Sequence, residues 1–67
     1  MKKAIVETSQ EELEDYNVDT FVSNGDEVSV SKIDERIDGD IKCSNIHVFV
    51  DEKEYEFLVP TKWLVFK

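Results

Sequence analysis

The segments Asn45-Ile46-His47-Val48-Phe49-Val50 and Tyr55-Glu56-Phe57-Leu58-Val59, joined by Asp51-Glu52-Lys53-Glu54, decide the class of the fold. In the first, Ile46, Val48 and Val50 alternate with His47 and Phe49; in the second, Tyr55, Phe57 and Val59 alternate with Glu56 and Leu58. Side chains of a strand point to opposite faces with a period of two, so each segment is a strand with one apolar face. A tight turn at Glu52-Lys53 would set Val50 against Tyr55 and Val48 against Phe57. Both apolar faces then coincide, as a β-hairpin requires.

Working outward, Thr20-Phe21-Val22-Ser23, Asn24-Gly25 and residues 26–33 carry the strongest local hairpin signal. Asn-Gly between β-prone runs favours a two-residue turn of type I′. That register puts Phe21 opposite Val28, with Val30 on the same face and Ser29 and Ser31 on the other. Residues 34–40 are polar, and Asp38-Gly39 is a second turn around which another strand pair bends. Pro60 has no amide hydrogen for a ladder and ends its strand. Pro60-Thr61-Lys62 is a short turn, and Trp63 to Phe66 is the last strand. Near the start, Ala4-Ile5-Val6 is a short β-prone run. Ser9 and Glu12 have the spacing of a capping box, and Leu13 and Tyr16 anchor one face of a helix of about two turns. Asn17 is its stop. Glu11, Glu12, Glu14 and Asp15 occupy its outer face.

These elements predict one mainly β domain, at the margin of α+β. About five to six short strands form a small barrel or rolled antiparallel sheet. One short N-terminal helix accompanies it, and residues 1–18 pack on the sheet of residues 19–67. Gly25-Asp26-Glu27-Val28 opening a strand, and Val59-Pro60-Thr61-Lys62-Trp63-Leu64-Val65 near the end, resemble the SH3-like barrel pattern over residues 20–66. In that pattern a proline and a single helical turn precede the last strand. The paired tryptophans and acidic-aromatic loop of peptide-binding SH3 domains are missing, so the resemblance does not imply a proline-rich ligand.

Sixteen acidic residues against eight basic ones give a net charge of −8. The imbalance is confined to residues 1–40, which hold twelve acids and only Lys2, Lys3, Lys32 and Arg36 as bases. A field of this sign repels nucleic acid and anionic membrane, and attracts basic proteins and cations. Neither direct nucleic-acid binding nor membrane association is expected. Cys43 is the sole cysteine, no charged-then-apolar leader follows Met1, and no apolar run approaches a membrane span. A cytoplasmic location is the expectation.

Catalytic constellations are hard to find. His47 is the only histidine. Cys43, four residues away on the same strand face, would stand ~13 Å from it. One Cys and one His fall short of a zinc site without carboxylate help. Asp34, Asp38, Gly39 and Asp40 fail as a calcium loop, because Arg36 stands where an oxygen ligand is needed and Asn45 where a bidentate acid is. The carboxylates lie at turns or on a solvent face rather than in the contrasting environments that acid–base chemistry needs. No catalytic, metal or cofactor site is expected.

The expected function is therefore that of a non-enzymatic acidic interaction protein. It would bind and block or modulate a basic, nucleic-acid-handling protein, as an inhibitor encoded by a phage or mobile element would. Its carboxylates would imitate a phosphate backbone, which carries one charge per ~1.7 Å of duplex axis. Glu11, Glu12, Glu14, Asp15, Asp26, Glu27, Asp34, Glu35, Asp38 and Asp40 are the candidate contact residues. The alternative is an assembly or homodimerisation module using an apolar face of Phe49, Leu58, Leu64 and Phe66, with the charge serving solubility.

Overall fold

The computed structural model describes every residue from Met1 to Lys67. Five strands form one antiparallel sheet: β1 (Lys2–Val6), β2 (Glu27–Asp38), β3 (Ile41–Val50), β4 (Lys53–Pro60) and β5 (Leu64–Phe66). A short helix, α1 (Gln10–Asp15), follows β1, and a 3₁₀ turn (Thr61–Trp63) precedes β5. The strand order is β4-β3-β2-β1-β5, so β1 lies inside the sheet and no ladder joins β4 to β5. The proline, helical turn and last strand come in the order that the SH3-like resemblance implies, although Trp63 closes the turn rather than opening the strand. No helix is long and apolar enough to cross a membrane.

The helix starts and stops where its sequence dictates. The Ser9 hydroxyl accepts the Glu12 amide at 3.2 Å, which caps the first turn. The Glu12 carboxylate does not reach back to Ser9; it takes the Thr8 hydroxyl at 2.6 Å instead. At the far end Asn17 sits at φ 58. Its amide donates to Glu14 and that of Val18 donates to Leu13, the pattern of a Schellman stop. Leu13 and Val18 are both buried, which supplies the apolar contact that goes with this motif.

The expected hairpin at Asn24-Gly25 does not form. Residues 20–23 are not a strand; Phe21 and Val22 both donate their amides to the Val18 carbonyl. Gly25 has φ 94 while Asn24 stays out of the positive region, so the two positive values of a type I′ turn are absent. The turn is instead tied to β1, with Gly25 donating to Val6 and Val6 to Asp26. The strand that pairs with the start of β2 on this side is β1, with Ala4 opposite Val28 and Lys2 opposite Val30. The facing assignments survive this change: Val28 and Val30 are buried, and Ser29 and Ser31 are on the other face.

The other two hairpin turns also use positive φ. Asp38 pairs with Ile41 across Gly39-Asp40, and only Gly39 has positive φ, as a type II′ turn requires. The β3–β4 turn falls at Asp51-Glu52, both with positive φ, not at Glu52-Lys53. Val48 therefore faces Tyr55 and Ile46 faces Phe57. This shift moves each partner by two residues, and alternation with period two cannot distinguish the two registers.

Between Ser31 and Arg36, β2 advances five residues while β3 advances two, from Asn45 to Cys43. Lys32 and Asp34 take positive φ in this stretch. Extra residues in one strand bend it and increase its local twist. The core is one cluster of Ala4, Val6, Leu13, Val18, Val22, Val28, Val30, Ile46, Val59, Trp63 and Leu64. Tyr16 packs edge-on to Trp63 at 5.1 Å, and Phe21 lies 4.8 and 5.1 Å from Tyr55 and Phe57.

Candidate functional site

The acidic residues fall into two groups. In α1, Glu11, Glu14 and Asp15 are exposed, while Glu12 is held by Thr8 and lies 3.6 Å from Lys62. Asp34 and Glu35 are exposed in the bent part of β2, and Asp38 and Asp40 are exposed at the β2–β3 turn. Burial raises the Tyr16 hydroxyl pKa, with Cys43 and the charges of Asp38, Glu12 and Asp15 adding to the rise.

Asp26 and Glu27 lie at the opposite end of β2. Asp26 accepts the Ser23 amide at 2.9 Å, and Glu27 takes the Lys67 ammonium at 2.5 Å. The Lys67 hydrogen bond, then its charge, holds the Glu27 carboxyl below its ordinary range, and Lys3 contributes less. This pair is local and partly neutralised. Of the ten candidate acids only Glu12 and Glu27 take part in an ion pair.

The four apolar candidates do not share a face. Leu64 is buried in the core, and Phe66 is paired with Ala4, which points inward. Phe49 and Leu58 lie on the outer face of β3 and β4, with exposures of 69% and 40%. Phe49 faces Glu54 and Leu58 faces Asn45, so the His47–Glu56 pair stands between them.

That pair is the best-organised polar group on the outer face. His47 is 91% buried, and its Nε2 lies 2.7 Å from Ser31 Oγ. Its Nδ1 is buried without a hydrogen-bond partner, 3.5 Å from Glu54 Oε2 and 3.9 Å from Glu56 Oε2. Asn45 donates to the other oxygen of Glu56. The strand alternation puts His47 on the face it shares with Phe49, but nothing in the sequence points to its three neighbours. Each comes from a different position in the sheet register, and only the pairing of β2, β3 and β4 brings them together.

Ser31, His47 and Glu54 have the order of a nucleophile, base and orienting acid. The geometry does not support acyl transfer. Nδ1 to Glu54 is too long for an orienting hydrogen bond. Two surface depressions of about 360 and 290 Å³ flank the group, and Ser31 lines neither. Cys43 is buried beside the Ile41 carbonyl, and burial, then the Asp38 charge, pushes its thiol pKa up. A thiol so placed is a poor nucleophile.

Comparison of the chain with family models, with curated proteins and with solved structures returned no match.

Proposed function

We propose that this is a non-enzymatic acidic interaction protein, acting in the cytoplasm, that occupies the basic surface of a nucleic-acid-handling protein and blocks or modulates it. The observation that carries this reading is the set of exposed carboxylates without ion pairs: Glu11, Glu14 and Asp15 on α1, and Asp34, Glu35, Asp38 and Asp40 on β2 and its turn. Unneutralised charge at fixed positions attracts a basic groove and competes there with a phosphate backbone. An inhibitor encoded by a phage or mobile element is the biological setting that suits such a chain. The experiment is affinity capture of basic host proteins on the immobilised chain, eluted by a salt gradient and by duplex DNA. Release of a nucleic-acid-binding protein by moderate salt and by DNA, lost on Glu11→Lys/Glu14→Lys/Asp15→Lys substitution, supports the reading. Capture indifferent to salt and to those changes rejects it.

The exposure of Phe49 favours a second reading, self-association through the outer face of the β3–β4 hairpin. A molecular mass that rises with concentration and returns to monomer in Phe49→Ser would support it.

A further inference from the structure

We propose that the open edge of β4 is a docking site for an extended basic segment of a partner protein, which joins the sheet as an added antiparallel strand. β3 is the one ladder partner of β4, and no backbone hydrogen bond outside the ladders reaches residues 53–60. The eight residues of β4 pair with β3 in unbroken register, and the one proline among them is the last residue. A long, regular edge of this kind is a template for strand addition. Which backbone groups it offers follows from the turn. Val50 and Lys53 flank the two-residue turn Asp51-Glu52 as a hydrogen-bonded pair, and such pairs alternate along an antiparallel ladder. Lys53, Tyr55, Phe57 and Val59 therefore bond to β3, whereas Glu54, Glu56 and Leu58 turn their N–H and C=O groups outward. Pro60 belongs to the outward set, where its missing amide hydrogen takes no bond from β3.

The side chains of β4 select the occupant. Glu54, Glu56 and Leu58 lie on the outer face, and Tyr55 and Phe57, both half-buried, lie on the inner face. No Lys or Arg pairs with Glu54 or Glu56, and His47 supplies at most one positive charge to the two of them. Directly opposed residues on antiparallel strands attract when their charges are opposite and repel when they are alike. The segment that fits carries Lys or Arg opposite Glu54 and Glu56, with aliphatic residues opposite Tyr55 and Phe57. A second copy of β4 does not meet these terms. Setting Glu56 against its counterpart, or Glu54 against Glu56 of the other copy, brings like charges together. Sliding the strands further brings Pro60, which has no amide hydrogen, into the new ladder. The inference rests on the proposed function only for the basic nature of the partner, and it uses none of the acids of α1 or β2.

The test is ¹H–¹⁵N NMR of the full chain titrated with a synthetic peptide of alternating lysine and valine, and with its glutamate–valine counterpart. The expected result is saturable binding of the lysine peptide alone, with the Glu54, Glu56 and Leu58 amides newly protected from hydrogen exchange. Glu54→Lys/Glu56→Lys should weaken that binding about tenfold and transfer the preference to the glutamate peptide, because two opposite-charge pairs become like-charge pairs. Glu11→Lys/Glu14→Lys/Asp15→Lys should leave the same three amides protected, so failure at β4 and failure at α1 are read separately. Absence of saturable binding, protection elsewhere than at the three outward amides, or equal binding of both peptides would overturn the proposal. So would protection of those amides by self-association without peptide. Amide protection is read on the unsubstituted protein and does not depend on how the variants fold.

Discussion

Ser44 and Thr61 share a hydrogen bond of 2.6 Å between their hydroxyl oxygens, at a point where Ser44 is fully buried. Ser44 Oγ also accepts the Asp34 amide at 3.0 Å. One hydroxyl on β3 therefore ties the bent part of β2 to the 3₁₀ turn before β5. Ser44→Ala leaves two part-buried polar groups without that partner, and loss of such hydrogen bonds costs about 0.5–1.5 kcal/mol. Urea unfolding should show a loss in that range, while Ser29→Ala on the outer face should cost less.

Acid should weaken the link between the start of α1 and the 3₁₀ turn. The Thr8 hydrogen bond holds the Glu12 carboxyl below its ordinary value of 4.5, opposed by desolvation and aided by the Lys62 charge. Its contribution is complete above 4.5 and is lost as pH falls through the lowered value. Thr8→Val should raise the pH midpoint of acid unfolding. An unchanged midpoint would show that the hydrogen bond is not felt.

At alkaline pH the sign reverses. The Cys43 thiol is raised above 9.0 and the Tyr16 hydroxyl above 10.0, both chiefly by burial. The unfolded chain loses these protons first, so stability is full below 9.0 and declines as pH rises beyond it. Reaction of Cys43 with a disulfide reagent should be slow in the native protein and accelerate in denaturant. Rapid native reaction would contradict the burial.

The β3–β4 turn is open to improvement. Asp51 and Glu52 hold φ of 52 and 66, a region that costs a residue with a β-carbon about 1–2 kcal/mol. Asp51→Asn/Glu52→Gly should raise stability by about 1 kcal/mol, readable as a higher melting temperature. Gly25→Ala should do the opposite. Its φ of 94 is strained for alanine, yet no atom lies within 4 Å of the added carbon, so the cost is conformational alone.

Local sequence determined much of this protein. Alternation at 45–50 and 55–59 defines two strands and their inward faces, Ser9 and Asn17 bound the helix, and Gly39 and Pro60 end their elements. Each depends on a periodicity or on a backbone preference that one residue carries by itself. Which strands pair is not of that kind. Asn24-Gly25 reads as a hairpin, but β1 takes the partner's place, because ladder bonds and burial of Ala4 and Val6 are settled between segments far apart in the chain. The β3–β4 register slips by two because only the turn distinguishes registers of equal parity. The meeting of His47 with Ser31, Glu54 and Glu56, and the burial of Leu64, follow from that pairing and from the bend in β2. Side-chain identity supplies the chemistry, but its convergence is a property of the sheet.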